Sequence, residues 1–389
     1  MVLYRKYRPK TFDEIYGQGH IVQTLRNEII NNRVPNALLL YGTRGSGKTT
    51  IARIFAKAIN CKNPINGNPC CKCEYCNAIE NKTVTDIVEI DAASNNSVDN
   101  IRALIDECRF QNVLLKYKVY IIDEVHMLSA SAYNALLKTL EEPPSHVKFI
   151  LATTDPQKIS DTIKSRCQRF QFHLLKSEEI KNMIYDICKK ENKTIDENSI
   201  NIIIKHASGS MRDALTLLEE VILYNTDNNI KELETINVLG IPEDAITNKL
   251  VTCLYKKELV HSLNCLSELR NNGVLLNNIA YSLYDNFKDM YLSNYDTKII
   301  LILERLSKLL GTLNNTSNGY TEFEIAIIQI CMIDNINLEI SNNITDNKNG
   351  RDDKINDIIS DTISDIDLDN CIKLKYNLDR IPKIKIIRG

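Results

Sequence analysis

The chain reads as an α/β domain built on a mostly parallel sheet, followed by an all-α second half. Three observations predict this. Short buried apolar runs recur at Ala37–Tyr41, Ile87–Ile90, Val119–Ile122 and Val147–Ala152. Helical patterns separate them, notably Lys48–Asn60, Val98–Phe110 and Ser131–Leu140, and alternating strand and helix imply parallel strands covered on both faces. From about Ser177 the strands stop, and apolar spacing of three and four runs through 177–190, 197–207, 210–224 and several stretches between 243 and 338.

At 389 residues the chain has room for two or three domains, taking about 150 residues per domain. Hydrophobic residues make up 43% and charged residues 25%, with 13 Gly and 9 Pro, which excludes a collagen-like or wholly disordered protein. The formal net charge of -2 means that any nucleic-acid contact must come from local basic patches. Met1-Val2-Leu3 runs directly into Tyr4-Arg5-Lys6-Tyr7-Arg8 without a signal-type apolar region, and no apolar run nears the ~20 residues that span a bilayer, so a cytoplasmic location and no membrane partner are expected.

The first motif lies between the strand at 37–41 and the following helix. Gly42-Thr43-Arg44-Gly45-Ser46-Gly47-Lys48-Thr49 satisfies the phosphate-loop pattern at every fixed position, with Thr50 next in the helix. The glycines let backbone N–H groups wrap phosphate oxygens, the helix N-terminus adds partial positive charge, Lys48 reaches the β and γ phosphates, and Thr49 holds Mg²⁺. A phosphate-bearing nucleotide and Mg²⁺ are thus the expected ligands. The strand at 119–122 ends in Asp123-Glu124: Asp123 is placed beside the metal, and Glu124 to polarise an attacking water.

Thr154, at the end of the next strand, has a hydroxyl suited to orienting that water, and Arg166 in Ser165-Arg166-Cys167 could stabilise transferring charge on its own chain or a neighbour's. Taken alone, a strand-end cap and a surface cation explain them equally well. Arg212 opens a helix, where a cation opposes the macrodipole and calls for a partner: phosphate, Asp213 or a glutamate.

Of twelve cysteines, five fall between Cys61 and Cys76, the distribution of a metal site in a reducing compartment. Cys61, Cys70, Cys73 and Cys76 suit a closed tetrahedral Zn²⁺ site, structural in kind; Cys71 remains an alternative to Cys70, and a metal-free thiol cluster or an iron–sulfur site are the competing readings. The remaining seven are expected to be core residues.

These residues together resemble the gamma/tau clamp-loader subunits of bacterial DNA polymerase III, ATPases of the AAA+ class. The resemblance rests on Tyr7-Arg8-Pro9, Thr11-Phe12, Gly17-Gln18, the phosphate loop and the cysteine insertion. It continues through Glu89-Ile90-Asp91-Ala92-Ala93-Ser94, Ile122-Asp123-Glu124-Val125-His126-Met127-Leu128, Asn134 to Pro144, Leu151 to Pro156, Ser165-Arg166-Cys167 and Gly209 to Ala214. It is dense to about residue 220.

The resemblance implies an AAA+ core with a five-stranded parallel sheet (1–172, with the zinc insertion at 61–76). A three-helix lid (173–238) and a helical collar (239–338) follow, then a tail (339–389). It implies that Thr154 acts as sensor 1, Arg212 as the lid arginine and Arg166 as a finger acting on ATP in the adjacent subunit, with Tyr7, Arg8, Gly17 and Gln18 around the base. The implied task is to open a sliding clamp and load it onto primer–template DNA during replication, as part of the polymerase III holoenzyme, in a five-membered ring with delta, delta-prime and further gamma subunits. Alternatives are a non-hydrolysing scaffold subunit of such a loader and another AAA+ DNA-remodelling ATPase such as a branch-migration helicase.

In that fold the helix N-termini near Ser97 and Ser129 face DNA phosphates. Asn95-Asn96-Ser97 carries no Lys or Arg, which lowers the DNA affinity expected of the first. The length resembles the short gamma form. Asn343 to Asn370 holds eight Asp against three Lys or Arg and reads as a solvated linker, and Ile381 to Arg388 as a frayed end or a strand added to a partner such as polymerase.

Overall fold

The computed structural model describes residues 2–225, 227–313 and 316–332. The chain divides into two compact units, Met1–Leu239 and Gly240 onward.

In the first unit, a short helix α1 (Leu3–Lys6) and helix α2 (Gly19–Ile30) precede strand β1 (Ala37–Gly42) and helix α3 (Lys48–Ile59). Then come α4 (Glu74–Glu80), β2 (Ile87–Asp91), α5 (Val98–Glu107), β3 (Lys118–Asp123), α6 (Ala130–Glu141), β4 (Val147–Thr153), α7 (Asp161–Lys164) and β5 (Gln168–Phe172). The five strands form one parallel sheet in the order β2-β3-β4-β1-β5.

Alternation along each strand builds two cores. Leu38, Leu40, Ile121, Ile150 and Ala152 pack with Ile51 and Phe55 of α3 and Leu25 of α2 on one face. Leu39, Tyr120, Ile122, Phe149 and Leu151 pack with Ile101 of α5 and Leu136 of α6 on the other. Because all strands run the same way, Gly42, Asp123 and Thr153 end at one edge of the sheet, where a ligand crevice forms in parallel α/β folds.

The fifth strand was carried only by the family resemblance. Gln168-Arg169-Phe170-Gln171-Phe172 is an edge strand with three exposed positions, so no continuous apolar run marks it.

Helices α8 (Ser177–Lys190), α9 (Glu197–Ala207), α10 (Met211–Tyr224) and α11 (Glu232–Leu239) complete the unit. The expectation that strands stop near Ser177 needs correction. β6 (Thr194–Ile195) and β7 (Asn229–Ile230) form a parallel ladder of two residues each, too short to leave a periodicity.

The second unit is helical: α12 (Asp244–Tyr255), α13 (Leu259–Asn271), α14 (Leu276–Asn294), α15 (Thr297–Leu313) and α16 (Gly319–Cys331). Leu250, Leu266, Leu283, Phe287, Leu306 and Phe323 form its core. Cys253 and Cys265 are buried there, as Cys108, Cys167 and Cys188 are in the first unit, while Cys331 is half-buried. The readings made for 339–389, including Ile381 to Arg388 and Cys371, lie outside the described residues. Among the described residues no helix is long and apolar enough to cross a membrane.

Candidate nucleotide site and cysteine centre

The turn after β1 needs positive φ at Gly45 (76°) and Gly47 (97°), which directs its backbone into the start of α3. A Cβ on Gly45 would stand 2.0 Å from the Ser210 hydroxyl, so α10's capping residue closes directly over the loop. Ser46 Oγ donates to the Thr43 carbonyl at 2.8 Å. Lys48 Nζ, on a side chain almost wholly buried, donates to the carbonyls of Gly42 (2.9 Å) and Thr43 (2.8 Å). Burial holds the Lys48 ammonium below the usual lysine range, while Glu124 and Asp123 pull it back up.

Thr49 Oγ1 donates to Asp123 Oδ2 at 2.6 Å, bringing together the two groups expected to share Mg²⁺. A hydroxyl and a carboxylate form a hard, all-oxygen donor pair of the kind Mg²⁺ takes alongside waters and phosphate. Glu124 sits in the left-handed region at φ 47°. Its Oε2 accepts from Thr154 N (3.1 Å) and Thr154 Oγ1 (2.8 Å), and His126 Nδ1 stands 3.4 Å away.

A cavity opens from the loop and is lined by Arg44, Gly45, Gly47, Lys48, Thr49, Thr50, Asp123 and Glu124 on one side. Tyr4, Tyr7, Arg8, Pro9, Met211, Arg212 and Leu215 line the other. Arg212 lies over the Tyr4 ring, 4.9 Å from its centroid, so within the chain its guanidinium meets an aromatic face, a partner outside the three expected, phosphate, Asp213 and a glutamate. The Tyr7 hydroxyl donates to Glu191 Oε1 at 2.6 Å; burial and that carboxylate push its pKa up.

Four lining residues escaped sequence reasoning: Tyr4, Pro9, Met211 and Leu215. Pro9 stood in the quoted Tyr-Arg-Pro, and Met211 and Leu215 lie one turn apart on the helix that carries Arg212, which was the available signal.

Gly17 and Gln18 do not line the cavity. Gly17 packs on Leu175, whose Cδ2 a Cβ would approach to 2.6 Å, and Gln18 pairs with the His173 backbone, accepting from N and donating to O. Thr154 joins the site only through Glu124. Arg166 is also outside: its Nη1 donates to the Thr162 carbonyl at 2.7 Å and its Nη2 pairs with Glu141, on a surface one-third exposed. Ser97 and Ser129 cap α5 and α6, accepting from Asn100 N and Ala132 N.

Beyond α3, the Sγ atoms of Cys61, Cys70, Cys73 and Cys76 lie within 4.8 Å of one another and could hold a metal ion. Four sulfurs about 2.3 Å from a tetrahedral centre stand about 3.8 Å apart. The Cys70–Cys76 separation is 3.9 Å. Backbone N–H groups of Cys70, Cys73 and Cys76 donate in turn to the sulfurs of Cys61, Cys70 and Cys73 at 3.3–3.4 Å. Burial opposes ionisation of Cys70, but the N–H groups of Lys72 and Cys73 bring its pKa down to about 6. Cys71, at φ 54°, turns its thiol to the carbonyls of Lys10 and Pro69, away from the other four.

Residues 17–176 match the family model described as DNA polymerase III, delta subunit, and residues 179–226 the model for the DNA polymerase III clamp loader subunit, ATPase lid domain. The chain is 39% identical to DNA polymerase III subunit tau of Bacillus subtilis, over 85% of this chain and 63% of that one. It is 45% identical to subunit gamma of Buchnera aphidicola subsp. Schizaphis graminum, over 72% and 76%. With subunit gamma of Buchnera aphidicola subsp. Baizongia pistaciae it shares 36% over 84% and 90%. The chain thus spans somewhat under two thirds of the tau relative and most of the gamma relatives. With the loop, the paired acids and the lid closing on one cavity, these matches show that the chain belongs to the family of DNA polymerase III gamma/tau clamp-loader subunits.

Proposed function

We propose that this chain is the ATP-hydrolysing motor subunit of a replicative clamp loader, using ATP to open a sliding clamp and place it on primer–template DNA. The observation that carries this is the joint presence, around one cavity, of Lys48 and Thr49 on the loop and Asp123 and Glu124 at the end of β3. A scaffold subunit without turnover has no need of all four.

Lys48 exchanges the carbonyls of Gly42 and Thr43 for phosphate oxygens, whose negative charge favours the ammonium form that burial disfavours. Thr49 and Asp123 would hold Mg²⁺, which when bound would supply charge neutralisation at the phosphates. Glu124 polarises the attacking water once its Oε2 leaves Thr154. Of the lining residues, Tyr7 and Arg8 are assigned to the base and Arg212, from the lid, to the phosphates.

Arg166 supports a trans role by its placement. It is held on the surface, away from its own cavity, so the neighbour's site is complete only in an assembled ring with delta-type partners and further copies. The N-termini of α5 and α6 offer backbone N–H groups to DNA phosphates without reading sequence.

The clamp needs an apolar docking point. Phe110 (70% exposed), Val113 (83%) and Leu114 (44%) supply one in the loop before β3. That loop lies at the opposite edge of the sheet from the cavity. We further assign Zn²⁺ to the four cysteines and the cytoplasm as the location.

The test is steady-state ATPase of the chain mixed with delta-type partners, with and without clamp and primed DNA. A large rise that needs both, abolished by Arg166→Ala with nucleotide binding intact, supports the loader. A rate indifferent to both, or one raised by four-way junctions alone, favours another remodelling ATPase. Unchanged turnover and loading in Lys48→Ala would make the subunit a scaffold.

A further inference from the structure

The cysteine module touches the nucleotide cavity only indirectly, through the segment that forms its outer wall. Asn68, 8% exposed, stands two residues before Cys70. Its Oδ1 accepts the buried backbone N–H of Phe12 at 2.9 Å, and its Nδ2 donates to Asp13 Oδ2 at 2.7 Å. Arg26 of α2 reaches the same Oδ1 at 3.3 Å. Gly67 lies so close to α2 that a Cβ would stand 2.9 Å from the Arg26 Cα.

On the other flank Glu80, at the end of α4, bridges Lys10 at 2.9 Å and Lys57 at 3.3 Å, and the Cys71 thiol faces the Lys10 carbonyl. Lys57 belongs to α3, which begins at Lys48 as the phosphate loop ends. The module therefore grips Lys10–Asp13 at both ends and ties it to the loop's own helix. The residues immediately before that stretch, Tyr7, Arg8 and Pro9, line the cavity.

We propose that the four-cysteine module positions the outer wall of the nucleotide pocket, with Asn68 as the positioning residue, so that metal binding and nucleotide binding are thermodynamically linked. The inference rests on the nucleotide reading of the cavity. Linkage is reciprocal: if an ordered module raises nucleotide affinity, bound nucleotide must raise metal affinity by the same factor.

The experiment uses the full chain loaded with Zn²⁺ and an Asn68→Ala variant, which removes no sulfur. Metal content, the Kd of a fluorescent ATP analogue, the Kd of inorganic tripolyphosphate, and Zn²⁺ release to a chelator with and without ADP are measured. The variant is expected to keep its Zn²⁺ and bind the ATP analogue about three- to tenfold more weakly, as for one lost buried hydrogen bond. Tripolyphosphate, which needs only the phosphate loop, should bind as before. At equilibrium with the chelator, ADP should reduce Zn²⁺ release, raising the apparent Zn²⁺ affinity several-fold in the parent chain and much less in the variant.

Equal nucleotide affinity in a metal-replete variant, or release indifferent to ADP in a parent chain that binds ADP, overturns the proposal. A parent chain that binds no nucleotide overturns the reading beneath it. If Asn68→Ala does not fold, Glu80→Gln on the exposed flank is expected to weaken the analogue two- to threefold at full metal content, and no change refutes the coupling.

Discussion

Replacing Asp86 with alanine should cost the first unit about 3 kcal/mol and loosen the loop assigned to the clamp, leaving the nucleotide cavity intact. Asp86 is 1% exposed, and its carboxylate accepts the N–H groups of Val113 (2.8 Å), Leu114 (2.8 Å) and Leu115 (2.9 Å). The three bonds do not count equally. Val113 and Leu114 are exposed, so their N–H groups regain water when the carboxylate goes. Leu115 is buried at 2%, so its N–H is orphaned at about 1–3 kcal/mol, on top of the charge-assisted bonding lost.

For a unit of this size 3 kcal/mol is roughly 6–12 °C in Tm. Burial pushes the Asp86 carboxyl up, but the N–H groups of Leu115, Val113 and Leu114, helped by Lys118, hold it below its ordinary 3.8. A depressed carboxylate stabilises above the unfolded-state pKa and loses that stabilisation as pH falls through the folded one. The stability gap between parent and variant should therefore be constant from pH 7 to about 5 and shrink below about pH 4. Urea unfolding across pH, with hydrogen exchange at 113–115, reads both effects. An unchanged midpoint at pH 7, or a gap as wide at pH 3.5 as at pH 7, would refute the reasoning.

Three further outcomes are expected. Arg166→Ala should lower ring ATPase by at least about a thousandfold with nucleotide Kd unchanged, and mixing it with Lys48→Ala subunits should restore part of the rate, since each supplies what the other lacks; rate measurements on mixed rings decide this. The chain should carry one Zn²⁺, seen by elemental analysis, and after its removal iodoacetamide at pH 7 should reach Cys70 before Cys76, because the first thiol sits near 6 and burial raises the second. Val113→Asp should weaken clamp binding tenfold or more in a pull-down or surface assay at unchanged basal ATPase, since the residue is 83% exposed and lies away from the cavity lining.

The chemistry was legible wherever its residues lie close in sequence. The phosphate loop, Asp123-Glu124 and the cysteine spacings are local patterns, and β1, β3 and β4 are short apolar runs alternating with helical patterns, which together point to a buried parallel sheet. Long-range pairings left no such trace. Glu141 beside Arg166, Asn68 under Phe12 and Asp86 beneath Leu115 join positions 25 to 56 residues apart, and polar side chains of those kinds are ordinary on any surface. β5 escaped the residue reading for a related reason. An edge strand buries only alternate residues, so Phe170 and Phe172 had to stand for it alone.

Under the proposed roles, each polar group of the reaction already has a partner within its own chain. Lys48 is on the Gly42 and Thr43 carbonyls, Thr49 on Asp123, Glu124 on Thr154, and Arg166 on Glu141. Nucleotide with Mg²⁺ supplies new partners for Lys48 and Thr49 alone. Nothing in binding obliges Glu124 to leave Thr154, and no substrate in the chain's own cavity draws Arg166 from Glu141. Two of the four exchanges therefore fall to ring assembly: a neighbour's γ-phosphate must outcompete Glu141 for Arg166, and movement around β4 must free Glu124. A motor arranged in this way binds ATP as a single subunit and hydrolyses it only as a member of the ring, which is the order of events that loading a clamp requires.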